Sequence, residues 1–241
     1  MMRIPAPLTV ALTKARIARI FKPRQHRNLL DFVDPAEVLH LGSAHPISHD
    51  KIRGFLSSSA AALWIGGSEP LDHPGIAHFV RALAQSRHLI FLETNGILLR
   101  RRIHEFQPLP QLFLVVRVDA QEKSDSKVAI ESLRAARLSG FFTVVHSVVN
   151  EAPDFDELSQ LRAVLLEMDL DGWLITGASA TPEVVGRAAE ARSCIPSAAW
   201  RWFSTRVEHE LLAQEKSRAS TELPRAEKRH GETCEEGMKV A

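Results

Sequence analysis

The sequence predicts an α/β fold of six parallel strand–helix units. Three observations point to it. Short apolar runs alternate with segments of helical spacing through the middle of the chain. The runs are apolar on successive residues, as in Leu89-Ile90-Phe91-Leu92, which suits strands buried on both faces of a parallel sheet. The chain has 241 residues, 45% hydrophobic and 24% charged, enough for one domain with a sizeable core and a tail.

The elements follow in order. Met1 to Phe21 is amphipathic, its apolar run broken by Lys14, Arg16 and Arg19, with no small-residue cleavage pattern behind it. An amphipathic segment rather than a signal sequence is expected there. Residues 1–27 are expected to form a helix that packs on its own domain, followed by a linker.

The six units fill residues 28–192. Strands are expected at Asn28–Asp34, Ala61–Gly66, His88–Glu93, Leu112–Asp119, Phe141–Val149 and Gly172–Thr176. Helices are expected at Ser48–Leu56, Pro74–Ser86, Ile97–Phe106, Lys127–Leu138, Asp156–Met168 and Pro182–Arg192. Ser48 and Thr181 supply capping hydroxyls. Pro182 stands at a first helical position, where its missing N–H costs nothing. Gly140 suits a left-handed C-terminal cap. Six units in about 165 residues is about 27 each, whereas an eight-unit barrel usually takes about 250. A six-unit barrel and an open doubly wound sheet both fit that arithmetic, and periodicity does not choose between them.

Residues 193–215 read as a C-terminal helical extension, with Trp200 and Trp202 near its start. From Lys216 the chain is charged, and Leu223, Met238 and Val240 are its only large apolar residues. Residues 216–241 are therefore expected to be a disordered tail, with too little apolar surface to offset ordering entropy.

Composition excludes several classes. Thirty Lys and Arg against 29 Asp and Glu give a formal charge of +1. That offers no argument for nucleic acid or an anionic membrane as partner. No run of about 18 apolar residues is present, so no helix is expected to span a membrane. The two cysteines, Cys194 and Cys234, exclude a disulfide framework and a four-cysteine zinc site. The compartment expected is reducing and cytoplasmic.

Three motifs follow expected strands. The second ends in Trp64-Ile65-Gly66-Gly67-Ser68-Glu69-Pro70-Leu71, the third in Glu93-Thr94-Asn95-Gly96, the fourth in Val116-Arg117-Val118-Asp119-Ala120. With His146–Asn150 in the fifth, this set resembles the radical S-adenosylmethionine enzymes. Those carry a GGEP segment after the second strand and a TNG segment after the third. The resemblance covers roughly Leu29 to Ala178 and implies a six-unit partial TIM barrel, (βα)6. It also implies a [4Fe–4S] cluster on three cysteines spaced C-x3-C-x2-C after the first strand. In register, those positions fall near Ala36, His40 and Ser43, and no cysteine precedes Cys194. Clusters are held by soft thiolates, with His an occasional substitute. No cluster is expected, and the family reaction is expected to be lost.

The resemblance places a ligand face on Gly66, Gly67, Glu69, Thr94, Asn95 and Gly96. Glycines let a backbone approach a ligand closely, but a strand-to-helix turn with positive φ needs them equally. Asn-Gly likewise supplies turn geometry, with Thr94 as a helix cap. Ser68, extra to the GGEP form, leaves the register open. Without an iron to chelate its amino and carboxyl groups, S-adenosylmethionine is expected to bind weakly or not at all.

Other features read more plainly. His40, His45 and His49 beside Asp50 do not match a zinc spacing and are expected at the surface. His73 is expected in a loop, Arg100–Arg102 on a solvated helix face, and Cys194 as an inert thiol.

Three functions remain open. One is a degenerate member of that superfamily, acting as a small-molecule-binding or protein-partner subunit. Another is an iron-free enzyme on the same barrel, with Asp119, Glu69 and His146 as its polar groups. The third is an unrelated α/β small-molecule-binding protein.

Overall fold

The computed structural model describes residue 2 and residues 4–21, 29–36, 49–118 and 123–222. A helix α1 (Ala6–Phe21) precedes the repeating units. The first three are β1 (Leu30–Val33), α2 (His49–Leu56), β2 (Ala62–Ile65), α3 (Ile76–Ala84), β3 (Leu89–Thr94) and the short α4 (Leu99–Arg102). Then come β4 (Leu112–Arg117), α5 (Lys123–Leu138), β5 (Phe142–Val149), α6 (Phe155–Glu167), β6 (Gly172–Gly177) and α7 (Pro182–Ala191). A last helix, α8, runs from Ala198 to Glu222.

The six strands lie in one sheet in sequential order, every pair parallel. A doubly wound sheet would reverse its order at a switch point, so the partial (βα)6 barrel is the form adopted. Its curl is visible in the ring contacts. Trp64 of β2 and His146 of β5 lie 5.7 Å apart, edge to face. Three strand spacings of about 4.8 Å would separate them by about 14 Å in a flat sheet.

The pairing register aligns one aromatic tier across five strands: Phe32, Trp64, Phe91, Phe113 and Phe142. Phe91 stacks on Phe113 at 4.8 Å and Phe113 on Phe142 at 5.2 Å. This tier fills the bore with apolar side chains.

Helix α8 closes the open side. Trp200 is fully buried against Gly172, where a Cβ would come within 2.2 Å of its ring. Phe203 packs on Phe91 at 5.5 Å. Ser204 and Glu208, one turn apart, serve the free edge of β6: Glu208 accepts the Gly177 N–H at 2.9 Å. Glu210 accepts the Leu29 and Leu30 N–H groups at the start of β1, at 3.0 and 2.7 Å. An uncovered strand edge invites wrong pairing, and here one helix covers β6 and reaches β1. The helix expected to end near residue 215 is therefore one 25-residue element.

At the other end of the chain, α1 joins the core through Leu8 and Leu12, with Met2 beside them. Among the described residues no helix is long and apolar enough to cross a membrane.

Local departures from expectation have local causes. Thr181 holds the extended cap geometry, but its hydroxyl sits by Ser179 Oγ at 3.2 Å instead of capping α7. Pro74 precedes α3, whose N-cap is Gly75. The expected Ile97–Phe106 helix is α4 followed by a 3-10 turn, Ile103–Glu105. Gly140 adopts φ +85° after α5, as a left-handed cap requires. Ser48, His40, His45, Asp119, Ala120 and residues 223–241 lie outside the described residues.

Candidate functional site

In a parallel α/β barrel the loops after the strands form the open face. Here that face begins with the turn behind β2. Gly67 has φ +105°, and a Cβ on it would lie 2.9 Å from Asp34 Oδ2. Asp34, just past β1, accepts the Ser68 hydroxyl at 2.6 Å and the Ala36 N–H at 2.9 Å. A Cβ on Gly66 would fall 2.5 Å from Glu93 Oε2. Both glycines thus make room for the chain's own carboxylates.

Glu69 joins this turn to the next. Its Oε1 accepts the Leu71 N–H at 3.0 Å and the Thr94 hydroxyl at 2.8 Å, and its Oε2 accepts the Asn95 N–H at 2.8 Å. Burial raises its pKa, against the lowering pull of these bonds. Thr94 Oγ1 in turn accepts the Gly96 N–H at 3.1 Å, and Asn95 Oδ1 accepts the Ile97 N–H at 2.9 Å. Thr94 therefore organises the turn rather than capping α4, whose N-cap is Leu98. Gly96 has φ +83° and lies tight on Val116 and Ala129. The structure brings all six expected residues together, yet it commits the Glu69 carboxylate to the chain's own N–H groups and the Thr94 hydroxyl.

A second polar group lies in the bore above the aromatic tier. Glu93 of β3 places Oε1 2.6 Å from His146 Nδ1, and its Oε2 accepts the Trp64 indole N–H at 3.1 Å. His146 Nε2 lies 2.8 Å from Thr176 Oγ1 of β6. Burial pushes the Glu93 carboxyl up, but His146, the Trp64 N–H and the charge of Arg117 outweigh it and hold it below the usual carboxylate range. Glu93 and Thr176 escaped the sequence reading. The available signal was a lone acid in the apolar run Leu89–Thr94, since a buried charge demands partners.

One other expectation shifts, while His73 lies in its expected loop before α3. Arg102 is not solvated: its guanidinium donates to the carbonyls of Leu71, His73 and Pro74 and pairs with Glu105. It holds the segment behind Glu69 in place. His73 is buried, and its Nδ1 accepts the Gly75 N–H at 2.9 Å.

The residues after β1 that would carry cluster ligands are described only as far as Ala36. Ala36 offers no ligand, and among the described residues no three His, Cys, Asp or Glu side chains are grouped to hold a metal. Cys194 is half-buried in the turn after α7.

No family model and no curated protein matches the sequence. Solved structures do. The crystal structure of Streptococcus suis SuiB bound to S-adenosylmethionine matches with a TM-score of 0.52 at 13% identity, over 72% of this chain and 47% of that one. An archaeal TYW1 matches with a TM-score of 0.38 at 14% identity, over 68% of this chain and 53% of that one. The chain spans about half the length of each. At 13% identity the likeness to SuiB is one of fold, and it agrees with the fold implied by the three turns.

Proposed function

We propose that this chain has the radical S-adenosylmethionine fold, runs no radical chemistry of its own, and serves as a small-molecule-binding or protein-partner subunit. The observation that carries the reading is a pairing: the two strand-tip turns are clasped together by Glu69, while no cysteine precedes Cys194. The ligand face consists of Gly66, Gly67, Thr94, Asn95 and Gly96, with Glu69 holding the two turns in register. SuiB, which shares the fold, was solved with S-adenosylmethionine, and that supports the same ligand class here. The affinity is weak, because the metal contact is missing. Loss of one charge-assisted contact costs roughly 1.5–3 kcal/mol, about 10- to 150-fold in affinity. The near-neutral charge argues against nucleic acid, and the low cysteine content supports a cytoplasmic setting.

The test has two measurements. Anaerobic reconstitution with iron and sulfide is expected to leave the protein without stoichiometric iron. Calorimetric titration with S-adenosylmethionine is expected to show weak binding, lost in Gly67→Val. One cluster per chain would overturn the first half. Tight binding that survives in a folded Gly67→Val variant would overturn the second.

A further inference from the structure

We propose that the groove between the end of α7 and the first turns of α8 docks an acidic segment of a partner protein, one with an aromatic side chain flanked by carboxylates. The inference deepens the protein-partner reading above and rests on it. Its test reads a different part of the molecule from the S-adenosylmethionine titration.

The groove follows from the helical period of α8. Trp200, Phe203 and Val207 are fully buried on the sheet side, and Ser204 bonds to β6. The residues between them turn outward: Arg201 is half-buried, and Trp202 and Thr205 are exposed. Spacings of three and four residues put one row inside and leave the other outside. Ala189 of α7, with Arg192 and Ser193 of the turn behind it, completes the lining of an open cavity of about 580 Å³. That is room for a few side chains.

This cavity is remote from the strand-tip turns. Trp200 packs on Gly172 at the start of β6, and Ser204 bonds to Ile175. The ligand face instead follows the ends of β2 and β3. Occupation of one site therefore leaves the other open.

Trp202 is 41% exposed, while the other three tryptophans are buried. Trp and Arg are the residues that most often carry the energy of a protein interface. The Arg206 guanidinium lies over the Trp202 ring, 5.8 Å from its centroid, and favours a fixed indole wall. The buried row beneath holds the helix still, so docking orders little that is not already ordered.

Charge selects the partner. Nearby carboxylates are committed elsewhere. Glu190 pairs with Arg187 at 3.1 Å, and Glu208 pairs with the lining Arg192. The Arg206 charge is felt at Glu210, but Glu210 gives both oxygens to the Leu29 and Leu30 N–H groups. Arg201 uses one nitrogen on the Ile195 carbonyl, at 2.7 Å, and forms no ion pair among the described residues. Two guanidiniums thus flank an apolar wall, and a guanidinium is the fork that takes a carboxylate bidentately. A basic segment would meet repulsion at the same place.

The probes are the peptides N-acetyl-DDFDD-amide and N-acetyl-KKFKK-amide, titrated into the full chain. The acidic peptide is expected to move the Trp202 indole N–H resonance saturably and to leave those of Trp64 and Trp173 in place. Added salt weakens that binding. By calorimetry, the basic peptide is expected to bind about 10-fold or more weakly, and Trp202→Ala to weaken the acidic one by a similar factor. Trp202 lies outside the core, so this variant keeps the fold. Equal binding of the two peptides, or undiminished binding in Trp202→Ala, would overturn the proposal. Self-association abolished by Trp202→Ala would place a second copy in the groove and overturn it too. A silent peptide titration on a chain that takes up no iron would remove the groove and leave the earlier reading standing.

Discussion

Ser204 of α8 receives the Ile175 N–H at 2.8 Å and donates its own hydroxyl to the Ile175 carbonyl at 2.6 Å. One side chain thus stands where a seventh strand would. The helix finishes a sheet that has six strands and an open edge.

Replacing Ser204 by Ala leaves two buried backbone groups without that partner. Each unmet group costs about 1–3 kcal/mol. Arg192 Nε also donates to the Ile175 carbonyl, at 3.1 Å, so the N–H bears the larger part. Urea unfolding of Ser204→Ala is expected to show a midpoint lowered by an amount equivalent to about 1–3 kcal/mol. An unchanged midpoint would mean that the edge is satisfied otherwise.

Gly172→Val tests the fit of α8 from the other side. A Cβ at residue 172 would come within 2.2 Å of Trp200, whose ring is fully buried. Overpacking of a well-filled core costs typically about 1–3 kcal/mol and sometimes more. The variant is expected to unfold at lower temperature and to expose Trp200, seen as a red shift in its fluorescence. A wild-type spectrum and melting point would count against this packing.

The Glu69 clasp predicts a local effect. Glu69→Ala removes three hydrogen bonds, two of which tie the two turns, and bonds to a charged group are worth about 1.5–3 kcal/mol. Hydrogen exchange at Asn95 and Leu71 is expected to quicken first. Equal quickening throughout the sheet would indicate global destabilisation instead of an opened turn.

The Glu93–His146 pair predicts an acid limit. The folded pKa of Glu93 is depressed, so its stabilising contribution is fully present above the unfolded carboxylate value of about 4.3. It is lost as pH falls through the lower folded value. Stability measured from pH 6 downward is expected to decline less steeply in Glu93→Gln. Parallel profiles would show that the pair carries no such linkage.

Much of the fold was legible in the sequence because its signals are local. Apolar runs such as Leu89–Leu92 marked each strand to within about two residues, the usual uncertainty of an element end. The positive φ of Gly140 followed from its place behind a helix. The missing cysteine triad was likewise plain from residue identities alone. The clasp was partly legible, since the turns at Gly66–Glu69 and Thr94–Gly96 follow neighbouring strands, though Glu69 itself was read as a ligand contact.

Tertiary structure decided the rest, because those relationships join residues far apart in the chain. Periodicity left a barrel and an open sheet both open; the three turns implied the barrel, and the strand order decides it. Arg102 looked like one of three solvated arginines, yet it serves carbonyls about thirty positions away. Glu93 and His146 are 53 residues apart and Thr176 is another 30 beyond. Only the curl of the sheet, closed by α8, sets them within hydrogen-bond reach, where burial makes each the obligatory partner of the next.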